Sequence, residues 1–297
     1  MPVAQDRRIG SLVAGRFHVE SLIGEGQMAK VYLAEQVSMR RKCALKILHR
    51  ELTRHPQAPK RFRREVEAVT RLRSPHSIVF YEFGPTDDGT LYIAMELLSG
   101  ESLRTRLERE GALEPALILS IVRQIAGCLG EAHAAGVLHR DMKPENVFLC
   151  PPEAAGRGPF VKVLDFGLAK LSEPLGDFVQ AITSPSVTVG TPAYLAPEMA
   201  VAGRRADARA DLYALGAVCF EMLVGTRPFQ ARNPIAMMQA HASEPIPSVS
   251  KRRPGLPRGC DAFMAVALAK DPEDRFQNAE AFASALASAL GERRRDS

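Results

Sequence analysis

The stretch His139-Arg140-Asp141-Met142-Lys143-Pro144-Glu145-Asn146, followed by Asp165-Phe166-Gly167, decides how this sequence is read. Between the two strings lie short strand-forming runs, Val147-Phe148-Leu149 and Val161-Lys162-Val163-Leu164, which bracket a turn rich in proline and glycine. A carboxylate, an ammonium and an amide thus stand just before one strand, and a second carboxylate stands just after the next. Chance does not plausibly deliver both strings in this order. Immediately upstream, Leu113 to Ala135 is apolar at helical spacing and stops at Gly136, a helix-ending residue.

Further toward the N-terminus the pattern changes period. From Phe17 to Val31, alternating apolar positions (Phe17, Val19, then Val31, Leu33) flank a glycine-containing turn, as in a half-buried antiparallel hairpin. Cys43-Ala44-Leu45-Lys46-Ile47-Leu48 reads as a third strand. A charged helical stretch follows from Pro59 to Leu72, with Phe62, Val66 and Val69 on one face and Glu65 near them. Val79 to Phe83 and Leu91 to Glu96 read as two more strands around a hairpin loop at Pro85 to Gly89. From Asp207 onward the chain is helical, interrupted by proline-rich loops near Pro228 and from Pro245 to Pro257. This order predicts an α+β protein of two lobes: a small antiparallel-sheet lobe with one main helix, and a larger, mainly helical lobe. A hinge is expected at Glu96 to Gly100, with a cleft between the lobes as a natural ligand site.

Composition sets the outer bounds. With 46% hydrophobic and 25% charged residues and a net charge of +5, the 297-residue chain has the make-up of an ordinary globular protein. A folded chain of this length buries roughly three quarters of its unfolded surface, so a core forms without staples. The mild basic excess comes with no nucleic-acid reader motif, which argues against nucleic acid as a partner. The five cysteines, Cys43, Cys128, Cys150, Cys219 and Cys260, are scattered and odd in number, and form no CxxC pair. They read as reduced thiols rather than a disulfide framework or zinc site. No apolar run reaches about 18 residues, so no membrane segment is expected within the chain. Met1 to Gly10 is polar and lacks the apolar core of a secretory signal.

Several residues invite a chemical reading. In Gly24-Glu25-Gly26-Gln27-Met28-Ala29-Lys30-Val31, glycines between strands let backbone N–H groups approach phosphate oxygens with no Cβ in the way. Taken alone, such glycines are also ordinary turn residues. Lys46 within an apolar strand is equally a solvent-facing alternate, and Glu65 equally a surface partner for the arginines around it. Together they gain meaning, because a helix-borne carboxylate can hold an ammonium over the phosphates of a nucleotide.

With the two decisive strings behind this loop and lysine, the chain resembles the eukaryotic-like serine/threonine protein kinases, and within them the bacterial branch. The resemblance runs from about Phe17 to Leu290. It continues through Gly190-Thr191-Pro192-Ala193-Tyr194-Leu195-Ala196-Pro197-Glu198, Asp211-Leu212-Tyr213-Ala214-Leu215-Gly216 and Asp271-Pro272-Glu273-Asp274-Arg275-Phe276. It departs from the family's glycine pattern at Ala29, which implies a slightly stiffer loop. The resemblance implies ATP as phosphate donor and Mg2+, with Mn2+ as a substitute, as the metal. It implies that Asp141 receives or orients the acceptor hydroxyl proton, that Lys143 reaches the γ-phosphate, and that Asn146 and Asp165 hold the metal. Nucleotide contacts are implied for Ile23, Gly24, Glu25, Gly26, Gln27, Met28, Ala29, Lys30, Val31, Ala44, Lys46, Glu65, Met95, Glu96 and Leu98. Asp211 is expected to brace the catalytic backbone, Glu198 and Arg275 to form a buried ion pair, and His139, His133 and His76 to be structural. Thr191 is expected to hydrogen-bond with Asp141 and Lys143. Arg140 would pair with a phosphate on the loop that offers Thr183, Ser184, Ser186 and Thr188.

The implied layout is a flexible lead over residues 1–14, a kinase domain over 15–290 with lobes at about 15–98 and 99–290, and a basic tail over 291–297. Implied partners are proteins with serine or threonine acceptors, phosphothreonine-binding domains, and a second copy in a transient dimer for trans-autophosphorylation. The expected location is cytoplasmic, alone or as the cytoplasmic part of a longer membrane-anchored kinase. Two alternatives frame this reading. A kinase-like scaffold without transfer would lack Lys46, Asp141, Asn146 or Asp165, and all four are present. A small-molecule phosphotransferase would lack a segment like Gly190 to Glu198, which resembles a protein-substrate platform.

Overall fold

The computed structural model describes residues 6–53, 56–152, 158–166, 192–200 and 206–291. The chain divides into two compact units: Met1–Arg71 with Ile78–Ser99, and Leu72–Ser77 with Gly100–Ser297.

In the first unit six strands form one antiparallel sheet: β1 (Leu12–Val13), β2 (Phe17–Glu25), β3 (Ala29–Gln36), β4 (Arg41–Leu48), β5 (Phe80–Pro85) and β6 (Leu91–Met95), in the order β1-β2-β3-β4-β6-β5. Because strand residues alternate between faces, the sequence pattern sorts the sheet into two sides. One side buries Phe17, Val19, Tyr32, Ala34, Cys43, Leu45, Ile47, Tyr92 and Ala94, joined by Val13. Each large apolar side chain there contributes about 1.5–3 kcal/mol of burial, and Phe17 meets Tyr92 edge-on at 5.4 Å between ring centres. Between β4 and β5 lie a single turn, α1 (Arg50–Thr53), and the predicted helix, α2 (Ala58–Val69). Phe62, Val66 and Val69 are its buried stripe, and Phe62 packs edge-on against Phe83.

Two expectations are corrected here. Residues 6–14 are not a flexible lead. Leu12 and Val13 pair with His18 and Phe17, Gly10 N donates to Val19 O at 2.9 Å, and Val13 enters the core. The alternation that draws β1 into the sheet is too short to read from sequence. The second correction concerns Leu72–Ser77, which falls within the expected small lobe but belongs to the second unit. Val163 N donates to His76 O at 2.7 Å, and the His76 ring nitrogen Nδ1 lies 3.0 Å from Val161 O. Residues 1–5 and 292–297 of the predicted lead and tail lie outside the described residues.

The second unit is built on helices: α3 (Leu103–Glu110), α4 (Pro115–Ala134), α5 (Ala208–Val224), α6 (Pro234–Ser243), α7 (Val249–Arg252), α8 (Gly259–Ala267) and α9 (Ala279–Ala289). A small sheet, β7 (Glu101–Ser102), β8 (Val147–Cys150) and β9 (Phe160–Val163), carries the decisive strings at its ends. By length and composition α4 is apolar enough to cross a membrane. Its apolar residues are accounted for by packing: Ile118, Ile121, Val122, Ile125 and Leu129 are buried in this unit. Almost all of α5 is buried as well, so its apolar run has no amphipathic period. At Gly100, φ is +129°, and an added Cβ would lie 2.1 Å from Leu149 O, so β7 approaches β8 closely only because the residue has no side chain.

Candidate active site

The string 139–146 forms a loop that ends in a 3-10 turn at Pro144–Asn146 and runs directly into β8. Its conformation is costly. Arg140 has φ +65° and Asp165 φ +60°, left-handed values that disfavour residues with a Cβ. Such positions cost of order 1–3 kcal/mol each and persist only where surrounding bonds over-determine them.

Those bonds come from α5. Buried Asp211 accepts from His139 N at 2.8 Å and Arg140 N at 2.7 Å, and lies 2.8 Å from His133 Nε2. Burial alone would raise the Asp211 carboxyl pKa, but His133 and the backbone donors outweigh it and hold the group below the usual carboxylate range. His139 supplies the next tie. Its Nε2 lies 2.7 Å from Leu164 O and its Nδ1 accepts from Asp141 N at 3.2 Å, which assigns the hydrogen to Nε2. The ring also packs on Phe166 with centres 4.7 Å apart. His139, His133 and His76 are all engaged in holding backbone or a buried carboxylate.

On this frame the catalytic candidates converge. Lys143 Nζ lies 2.7 Å from Asp141 Oδ2, and both side chains are half-buried. Asn146 Nδ2 donates to Asp141 O at 2.7 Å and to Oδ2 at 3.0 Å. With its amide hydrogens spent on Asp141, Asn146 turns Oδ1 the other way. Leu164 N donates to Asn146 O at 2.8 Å, which sets Asp165, the next residue, beside Asn146. An amide oxygen and a carboxylate are the hard oxygen donors that suit magnesium, and the backbone here sets the two residues that carry them close along the chain.

The first unit presents its candidates on the face opposite its apolar cluster. Val31 pairs with Lys46, Lys46 with Ile93, and Ala44 with Met95, so Val31, Ala44, Lys46 and Met95 share that face. Lys46 is buried, which removes the reading of a solvent-facing alternate. Glu65 is half-buried beside the apolar stripe of α2. Gly24 stands opposite Val31, and the register shift between Leu22 and Gly24 turns Ile23 outward as a bulge. Neither Gly24 nor Gly26 has a positive φ, and a Cβ on either would meet nothing nearer than 3.8 Å. Hairpin folding therefore does not demand glycine there, which favours the open-backbone reading over the turn-residue one. Ala29 is buried opposite Leu48, while Glu25, Gln27, Met28 and Lys30 complete the turn and its flank. Glu96 N donates to Val79 O at 3.0 Å and Glu96 Oε1 accepts from Val79 N at 2.8 Å, fixing the start of the segment that reaches Leu98.

Glu198 and Arg275 form the expected buried pair, with two parallel bonds of 2.8 and 2.7 Å, and Arg275 donates further to Ala269, Lys270 and Arg209 carbonyls. Gly167, Thr183, Ser184, Ser186, Thr188, Gly190 and Thr191 lie outside the described residues. Sequence reasoning missed His49, whose ring Nε2 lies 2.8 Å from Gly26 O and whose amide donates to Met28 O at 2.8 Å. It also missed Asp6, which bonds Lys30 and Tyr32. Neither belongs to a short motif, so no local signal marks them.

Residues 17–286 match the protein kinase domain family model. The chain is 39% identical over 292 residues to the serine/threonine-protein kinase pkn3 of Myxococcus xanthus, covering 98% of this chain and 53% of that protein. It is 36% identical to the serine/threonine-protein kinase PknH of Mycobacterium tuberculosis, covering 98% of this chain and 44% of that protein. The chain thus spans about half the length of these curated relatives. The crystal structure of the M. tuberculosis PknI kinase domain superposes with a TM-score of 0.73 at 30% identity, covering 95% of this chain and 98% of that one. A braced catalytic loop, a glycine hairpin with a buried strand lysine, and a family match over nearly the whole length lead to one statement: this chain belongs to the protein kinase domain family.

Proposed function

We propose that this protein transfers the γ-phosphoryl group of ATP to serine and threonine hydroxyls of proteins in bacterial signalling. The observation that carries the reading is the Asp141–Lys143–Asn146 constellation, held within 2.7–3.0 Å on a backbone locked by Asp211. In this reading the acceptor oxygen forms a bond to the γ-phosphorus as the β–γ bridging P–O bond breaks, ADP leaves, and the hydroxyl proton passes to the Asp141 carboxylate. Asp141 acts chiefly by aiming the hydroxyl, because the alcohol becomes acidic late. Lys143 neutralises charge that develops on the transferred group, and its contact with Asp141 holds the two side chains together at the reacting position. Asn146 and Asp165 are assigned to Mg2+, or Mn2+, which when bound screens phosphate charge. Lys46 and Glu65 are assigned to aligning the nucleotide, the hairpin from Ile23 to Val31 to its phosphates, and Ala44, Met95, Glu96 and Leu98 to its base.

Lys143 also supports a serine/threonine rather than tyrosine preference, with Thr191 shaping the site for a short side chain. Autophosphorylation of the loop holding Thr183 and Thr188, in trans through a transient dimer, is part of the proposal. Docking of that phosphate on Arg140 and capture of it by phosphothreonine-binding domains complete it. A cytoplasmic location fits an ATP-consuming enzyme. The test is incubation with labelled ATP, magnesium and a basic acceptor protein, with phosphosites mapped by mass spectrometry. Phosphoserine and phosphothreonine are the expected products, and predominant phosphotyrosine would overturn the assignment.

A further inference from the structure

The apolar side of the first unit's sheet ends in a polar cluster around Asp6, a residue to which the proposed phosphoryl transfer gives no part. The Asp6 carboxylate accepts hydrogen bonds from Lys30 Nζ and from the Tyr32 hydroxyl, each at 2.9 Å. Lys30 and Tyr32 are two apart on β3 and so share a face. That face carries Tyr32, Leu45 and Tyr92, whereas Val31 and Lys46 point the other way. Arg8 N donates to Asp6 Oδ1 at 3.1 Å, and Arg8 Nη2 donates to Asp88 Oδ2 at 3.2 Å and Thr90 Oγ1 at 3.3 Å, in the turn joining β5 to β6. Val19 N donates to Ser11 O at 3.0 Å. Residues 6–11 are therefore fastened to the strand that leaves the glycine hairpin, to β2 that enters it, and to a turn on the far side of β4. Burial alone would raise the Asp6 carboxyl pKa, but the donors from Lys30, Arg8 and Tyr32 outweigh it and keep the group ionised.

We propose that residues 6–11 brace the glycine hairpin, and that Asp6 is a positioning residue for binding the phosphate donor. The inference rests on the ATP-dependent kinase reading above. Asp6 lies on the side away from Lys46, so it acts through Lys30 and Tyr32 and sets where β3 begins. Backbone amides that must converge on phosphate oxygens bind more weakly when the strand beneath them is free to shift. Backbone ladders to β2 and β4 and the His49 contacts at Gly26 and Met28 also hold the hairpin, and Asp6 adds a side-chain tie to two residues of β3 from a segment outside the hairpin.

The test uses the full 297-residue chain. Asp6→Asn keeps the side chain's size and removes its charge. It is expected to raise KM for ATP about threefold to tenfold, the range for one partly exposed ion pair with its hydrogen bonds. At saturating ATP, kcat stays near the wild-type value, and amides of residues 24–31 exchange hydrogen faster. Arg7→Ala removes a charge from the same segment and leaves both constants unchanged. In a Tyr32→Phe background, Asp6→Asn has a smaller effect, because one of its two routes is already gone. An unchanged KM in Asp6→Asn overturns the proposal. So does a fall in kcat with unaltered KM alongside a lowered melting midpoint, the pattern of general destabilisation. Titration of magnesium-ATP onto each variant separates the two readings. Wild type that binds nucleotide without transferring phosphate sinks the kinase reading and leaves the brace to be judged on affinity, while wild type that binds none overturns both.

Discussion

The catalytic loop and the glycine hairpin are held by different means. Around residues 139–146 the ties are buried and multiple: Asp211 takes two backbone amides and His133, and the His139 ring lies against Leu164 O and accepts from Asp141 N. Around residues 24–31 they are backbone ladders and partly exposed ion pairs, such as Lys30 with Asp6 and with Glu25. Buried charge is costly to strand once one partner is removed, whereas an exposed pair is screened by water and salt. The first arrangement suits atoms that must meet a reacting oxygen within a fraction of an ångström. The second suits a loop that must admit a ligand and release it. Substitutions that fall hard on one region and lightly on the other therefore test the contrast.

The largest effect is expected at the chemistry itself. Asp141→Asn should lower phosphate transfer by about 10²–10⁴-fold while nucleotide binding stays near wild type, measured by autophosphorylation rate and nucleotide titration. Near-normal transfer by a pure sample of that variant would remove Asp141 from the role. Lys46→Met should impair transfer as well, through misaligned phosphates, with the melting midpoint little changed.

Next comes the buried framework. Glu198→Ala leaves the Arg275 guanidinium without its carboxylate, and about 3–5 kcal/mol of stability should be lost in urea unfolding. A loss no larger than that of an exposed pair would erase the difference between buried and exposed pairing on which the contrast rests.

A third handle is pH. His241 lies in the second unit, with Nδ1 2.8 Å from the Tyr213 hydroxyl and Nε2 3.0 Å from Ala193 O, and burial pushes its pKa down to about 4 from 6.5. Between those values the unfolded chain binds a proton that the folded chain refuses, so stability falls as pH drops from about 6.5 to about 4. The full fall is about 3 kcal/mol, and denaturant midpoints measured across that window should show it. His241→Gln should flatten that part of the profile, although the substitution carries its own packing cost at every pH.

The smallest effect is expected on the sheet surface. Lys42 bonds Glu35 and Glu20 from exposed positions, and Lys42→Ala should leave both the melting midpoint and KM for ATP unchanged. A clear shift in either would show that exposed pairs hold the sheet more tightly than the contrast allows.

Much of this was legible in the sequence because it is local. The order of elements followed from periodicity, and the roles proposed for Asp141, Lys143, Asn146 and Asp165 came from the family resemblance that strings at short fixed spacing carry. Lys46 and Glu65 were ambiguous one at a time and gained meaning only from the strings behind them. α5 is buried all round and offers no helical stripe, so its reading depended on the Asp211 string rather than on period.

What the sequence determined by itself was the family's strings, which nominate the groups proposed for the chemistry, and the strands and helices that carry them, since both are written in neighbouring residues. What the tertiary structure decided was which distant residues meet. It put Asp211 under the amides of His139 and Arg140, moved Leu72–Ser77 into the second unit through Val161 and Val163, and brought Asp6 to Lys30 and Tyr32. The physical reason is that such pairings are chosen by packing of the whole chain, where one buried carboxylate or one sheet edge selects its partners. Propensity and spacing act over a few residues and carry no record of that choice.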